Sequence, residues 1–351
     1  MSPGTRRLKR GQPSMLQAIA PASVSSPAPS MKSVMPWMAE PRMPLSDAAP
    51  YTVLSAQELY PRICVRDPYF ALKDVTVLPG EVVARVPVQM APDAEAMPLG
   101  LGEAGRHLAI LGSCGAALVA PKDGQHFYLA SAARGQWLQA VPQERASDML
   151  WALAQAEYTG KRTCTARTLL SSSDGTPLFK LEVDYNVLSA AAFTRLFGEA
   201  RQEMRREPRP ADTVQRTPEE WAKLRQNPYS KPLDLQDFRM EGDLMRSSLV
   251  VTPELCKGHF AMHPVMPVAV VAGGMTRMAT TLGRKLEAAP GARFVAKDVK
   301  LSADSLAYAG QTVVFSAHRV QVRGADHTFA CWASVGERVV AQLDVTYTRV
   351  D

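Results

Sequence analysis

Ten residues in the last third of the chain carry the clearest chemical signal: Gly258-His259-Phe260-Ala261-Met262-His263-Pro264-Val265-Met266-Pro267. Histidine changes charge near neutral pH, so His259 is suited to take up a proton or return one. Pro264 and Pro267 donate no backbone hydrogen bond and preset the path of the loop. The motif runs into an apolar stretch rich in Ala and Gly that reads as a buried helix over roughly 267–282. A helix start presents unpaired N–H groups and positive potential, which can polarise a carbonyl oxygen.

A second apolar helix is predicted over roughly 106–119, and it brings further candidates. Glu103 lies in Gly100-Leu101-Gly102-Glu103-Ala104-Gly105, where it is either an ordinary acidic residue at a helix start or a carboxylate directed into a cleft. His107 and Cys114 are seven apart and share a helix face. Cys114 is either a small core residue or a nucleophile, the latter only with a positive group beside it. His263 reads as a loop residue, and His126, His318 and His327 as isolated surface or packing residues. No element carries metal-ligand spacing, so neither a metal nor a cofactor is expected.

The elements that must position these residues occur twice. Lys180-Leu181-Glu182-Val183-Asp184-Tyr185 and Gln342-Leu343-Asp344-Val345-Thr346-Tyr347 alternate in the same way, and each follows a turn, Ser173-Asp174-Gly175 or Val335-Gly336-Glu337. Pro92 with Pro253, and Gly112 with Gly273, repeat at nearly the same offset. Each copy reads as short strands, a loop, one apolar helix and then long antiparallel strands. The expected organisation is a tail over 1–50, a first domain over 51–198, a connector over 199–232 and a second domain over 233–351. The connector carries a helix start at Thr217-Pro218-Glu219-Glu220.

Composition bounds the function. With 46% hydrophobic and 21% charged residues the chain is that of a soluble globular protein. No run of 18 apolar residues suggests a membrane span. The net charge is +6, but the tail holds six cations against two acids, and no basic stripe with interleaved aromatics marks a nucleic-acid surface. The tail is rich in Pro, Ser, Ala and Met and reads as disordered; its basic start before Met15 has the outline of a leader that Pro21 interrupts. Five scattered cysteines without CxxC spacing point to a reducing, cytoplasmic setting.

The His259 motif resembles the signature of the 3-hydroxyacyl-(acyl carrier protein) dehydratases of bacterial fatty-acid synthesis. It matches at Gly258, His259, Phe260, Pro264, Val265, Met266 and Pro267, and departs at Ala261, Met262 and Val268. The resemblance implies a tandem double hotdog, an α+β fold in which two curved antiparallel sheets each wrap one buried helix. It implies His259 as the base that removes the C2 proton, with Phe260, Met262, Pro264, Met266 and Val268 around the substrate. The family's acid stands fourteen residues after the histidine, where this chain has Gly273, and the repeat aligns Gly112 with that position and Pro98 with His259. One site is therefore expected, from His259 and the first copy's helix, with Glu103 the substitute acid and Gly112 and Cys114 lining the substrate. A tunnel past Met266, Val270, Met275 and Met278 is expected, unless these methionines are simply core. Arg277, Arg284 and Lys285, or Arg106, are either a patch that steers an acidic acyl carrier protein or ordinary surface charge. The function expected is dehydration of a 3-hydroxyacyl thioester on carrier protein or CoA; the alternatives are thioester hydrolysis or acyl transfer, and a non-catalytic acyl-binding subunit. The chain would hold its own pseudo-dimer, with a further homodimer possible.

Overall fold

In a computed structural model, residues 52–91, 93–121, 124–139, 149–197, 226–260 and 263–350 are described. The tail, the Thr217-Pro218-Glu219-Glu220 helix start, Ala261 and Met262 lie outside the described residues.

The first half contributes β1 (Thr52–Val53), α1 (Ala56–Ile63), β2 (Lys73–Leu78), β3 (Glu81–Pro87), α2 (Leu101–Leu118), β4 (His126–Trp137), β5 (Met149–Gly160), β6 (Thr163–Ser171) and β7 (Pro177–Ser189). The second contributes β8 (Gln236–Glu241), β9 (Leu244–Val250), α3 (Val268–Leu286), β10 (Arg293–Ala303), β11 (Thr312–Arg323), β12 (Asp326–Val335) and β13 (Arg338–Val350). Ser55 starts α1 with a capping box, its side chain accepting from the Glu58 N–H while the Glu58 carboxylate accepts from the Ser55 N–H.

Among the described residues all strands join one 13-stranded sheet in the order β1-β2-β3-β5-β6-β7-β4-β10-β13-β12-β11-β9-β8. The two halves of that order mirror each other about the β4–β10 junction, where Gln136 faces Asp298 and Ala132 faces Ser302 in antiparallel register. Each half wraps one helix, α2 or α3, which is the tandem double hotdog the motif implied. Alternation along the strands puts one row of side chains under the helix; in β12, His327, Phe329, Cys331 and Ala333 are buried and the residues between them are not. No helix among the described residues is long and apolar enough to cross a membrane.

Helix α2 begins at Leu101, five residues before the expected start, and so absorbs the glycine-rich segment. The two helices cross there. A Cβ on Gly102 would lie 2.5 Å from the Gly273 Cα, so only glycine permits this approach. The crossing also corrects the alignment of the repeat. Counted from the helix caps, Gly100 and Pro267, the counterpart of Gly273 is Arg106 and not Gly112. By the same count the counterpart of His259 is residue 92, outside the described residues, and not Pro98. The physical cause is a longer loop from Val250 to Val268 than from Pro87 to Leu101, which shifts the helices relative to the strands.

Candidate active site

The motif loop is held from both halves. The Arg66 N–H donates to the Gly258 carbonyl at 2.8 Å and the Phe260 N–H to the Cys64 carbonyl at 3.1 Å. On the other side the Met266 N–H donates to the Ala307 carbonyl at 2.8 Å, and the Ala309 N–H to the Pro264 carbonyl at 3.0 Å. Gly258 and Phe260 both take positive φ, 83° and 48°. The left-handed turn at Phe260 lays its ring on His259, centroids 3.9 Å apart. Phe260 is itself packed by Phe127 at 5.0 Å and by Phe193 at 5.4 Å, the latter from the helical segment over 190–197.

His259 Nδ1 lies 3.2 Å from the Val265 carbonyl. A carbonyl only accepts, so Nδ1 carries the proton and Nε2 keeps its lone pair. Burial pushes the His259 pKa down to about 4, opposed by the bond to Val265, so the ring is neutral at physiological pH. The ring is half-buried; its remaining face borders a cavity of about 1500 Å³, counted to its open mouth. Met266, Val268 and Ala269 line this cavity from the start of α3, and Ala109, Ile110 and Ser113 from α2. Pro267 caps α3 and its carbonyl accepts from Val270 and Val271, while helix geometry leaves the Val268 and Ala269 N–H groups without an intrahelical acceptor. A neutral base and helix-terminal donors therefore border one apolar cavity.

The other expected site residues lie elsewhere. Glu103 is buried and faces the loop after β3, accepting from the Gln89 N–H at 2.7 Å and the Met90 N–H at 3.3 Å. It is 3.7 Å from Arg106 and 3.5 Å from His107, which explains a carboxylate inside the fold without any contact to His259. Burial lowers the His107 pKa to about 4, so it is neutral and its contact with Glu103 is no ion pair. Gly112 packs against Ala166 and the Tyr185 hydroxyl on the sheet side of α2. Cys114 is fully buried, lines neither this cavity nor the one described below, and has a thiol pKa pushed up to about 12 by desolvation. Without a positive neighbour it is core, not a nucleophile. Of the expected tunnel residues Met266 alone borders the His259 cavity; Met275 and Met278 are core.

Tyr69 was not among the expected residues, and Arg106 was expected only at the surface, as a docking cation. The Tyr69 ring stands edge-on to His259 at 5.1 Å and to Tyr229 at 5.2 Å. The Arg106 guanidinium lies over both tyrosines, 6.0 Å from the Tyr69 centroid and 5.2 Å from that of Tyr229. Arg106 is only 3% exposed, so it cannot steer a docking partner. A lone cation in an apolar helix was its sequence signal; Tyr69 had none. No carboxylate among the described residues contacts His259.

No family model matches the chain, and no curated protein is similar to it. Among solved structures it resembles a tesB protein of Mycobacterium avium subs paratuberculosis, with TM-score 0.48 and 9% identity over 85% of this chain and 100% of that one. It also resembles the 12:0-ACP thioesterase from Umbellularia californica, with TM-score 0.46 and 7% identity over 77% and 94% of the two chains. A conserved protein of unknown function with hot dog fold from Alicyclobacillus acidocaldarius gives TM-score 0.46 and 9% identity over 80% and 96%.

Proposed function

We propose that this chain hydrolyses acyl thioesters carried by acyl carrier protein or coenzyme A, with His259 as general base. The observation that carries this reading is the His259 ring: neutral, its tautomer set by Val265, its Nε2 without a protein partner among the described residues, and no carboxylate beside it. Nε2 takes a proton from water as the water oxygen bonds to the thioester carbonyl carbon. The Val268 and Ala269 N–H groups stabilise the resulting oxyanion. The carbonyl re-forms, the C–S bond breaks, and the proton held by His259 passes to the departing thiolate. Free acid and thiol result, with atoms and charge balanced.

Dehydration is the second reading, favoured by the motif from Gly258 to Pro267. It needs an acid for the departing hydroxyl, and the helix position that bears that acid in the family is Gly273 in one half and Arg106 in the other. Hydrolysis needs no such group, and for that reason it is preferred.

Purified protein incubated with saturated and 3-hydroxyacyl thioesters, with products followed by mass, separates the readings. Free acid from the saturated substrate, reduced on the order of 10²–10⁴-fold in His259→Ala, is the expected result. Enoyl product would move the assignment to dehydration. Binding without turnover would leave an acyl-binding subunit and overturn the proposal.

A further inference from the structure

The pseudo-twofold that relates the halves also relates two cavities. Counted from the helix caps, Ala109, Ile110 and Ser113 of the His259 cavity correspond to Thr276, Arg277 and Thr280, and these three line a second cavity of about 840 Å³, counted to its mouth. Its floor is the helix crossing, Gly102, Ala269, Val270 and Gly273. Among the described residues no histidine lines it; charged groups do.

The charged groups of this cavity are not equally engaged. Glu95 accepts from the Leu101 N–H at 2.8 Å and from the Tyr347 hydroxyl at 2.6 Å, so both its oxygens are engaged. Glu103 is engaged by Gln89 and Met90, and Asp93 pairs with Arg284 at 3.0 Å. The cations keep donors in hand. Arg106, 97% withdrawn from solvent, has an Nε–H with no hydrogen-bond partner. Arg277 gives one bond to the Leu233 carbonyl, and Lys231 one to the Gln226 side chain at 2.7 Å. Arg106, Lys231 and Arg277 equal Asp93, Glu95 and Glu103 in number, but the carboxylates are engaged while the cations hold donors that are not.

The geometry points to a second ligand site in this cavity, one that takes a monocarboxylate with a short aliphatic body. The carboxylate would meet Arg277 and Lys231 under the field of Arg106, and the aliphatic part would lie on the Ala269, Val270 and Gly273 floor. A carboxylate group can take the donors that Arg277, Lys231 and Arg106 leave unused, and the floor carries no charge of its own.

Calorimetric titration of the full chain with octanoate tests this, with octanol and inorganic phosphate as separate ligands. Saturable octanoate binding is expected. It should persist in Ser113→Phe, which fills the first cavity. It should weaken at least tenfold in Arg277→Met and in Val270→Phe, which act on the second. Lys231→Met, on an exposed side chain, should also weaken it, and separates charge loss from misfolding. Octanol and phosphate should each bind at least tenfold less tightly. Binding lost in Ser113→Phe, kept in both Arg277→Met and Lys231→Met, matched by octanol or phosphate, or absent altogether overturns the assignment.

Discussion

Gly258→Ala gives the sharpest check on how the site is held. Gly258 has φ of 83°, and a Cβ there would fall within contact distance of the Arg66 carbonyl oxygen and 2.8 Å from that of Asp67. Both obstacles are backbone, so neither can swing away. The left-handed conformation alone costs a non-glycine residue about 1–2 kcal/mol. Restoring ordinary contact requires the two segments to part by roughly 0.5 Å or more, adding strain of about 1–3 kcal/mol. That movement also displaces His259, the next residue. Misplacement by about 1 Å costs on the order of 10²-fold in rate, so a loss of about tenfold or more is expected here. Gly80→Ala is the matched control, with φ of 77° and nothing within 4 Å of the added Cβ. Thermal melting of both variants separates the conformational cost from the clash, and thioester turnover reads the displacement. If Gly258→Ala melts with Gly80→Ala and turns over like wild type, the account of the loop is wrong.

The working form of His259 is neutral and its pKa is about 4, so protonation removes activity only at low pH. Turnover should stay level from about pH 8 to 5 and fall as pH nears 4; a midpoint near 6.5 would contradict the burial argument. His107 has the same depressed pKa, so between 6.5 and 4 the unfolded chain binds more protons at this position than the folded one. Stability should therefore fall as pH falls through that window, by roughly 3 kcal/mol at full protonation of the unfolded state. Replacing His107 with Gln should reduce the slope of that part of a melting-temperature profile, leaving the share that His259 contributes. Phe193 is fully buried and stacks on Phe127 at 4.1 Å, so Phe193→Ala should cost about 3–5 kcal/mol in denaturant unfolding and lower turnover through Phe260. Cys114 should resist alkylation in the folded protein at pH 8, and Cys114→Ala should keep thioester turnover; loss on that change would restore it as a candidate nucleophile.

The sequence by itself determined the two-copy plan, the apolar helices and the histidine at the head of the second. These are local or periodic properties: alternation marks each strand, Ala and Gly runs mark helices that must be buried, and the His259 motif is contiguous. The register between the copies was decided only by tertiary structure. Loop length before α3 slides Gly273 opposite Arg106 in the repeat, and no spacing within either copy reports that slide. For the same reason Glu103 read equally well as an acid for the site or a helix-start residue. Its partners Gln89, Met90, Arg106 and His107 meet only when the loop after β3 folds over α2. Tyr69 comes to His259 from nearly two hundred residues away, through the pairing of Arg66 with Gly258. Contiguous residues set which chemistry is on offer; contacts between distant segments set its protonation, its partners and the cavity it borders.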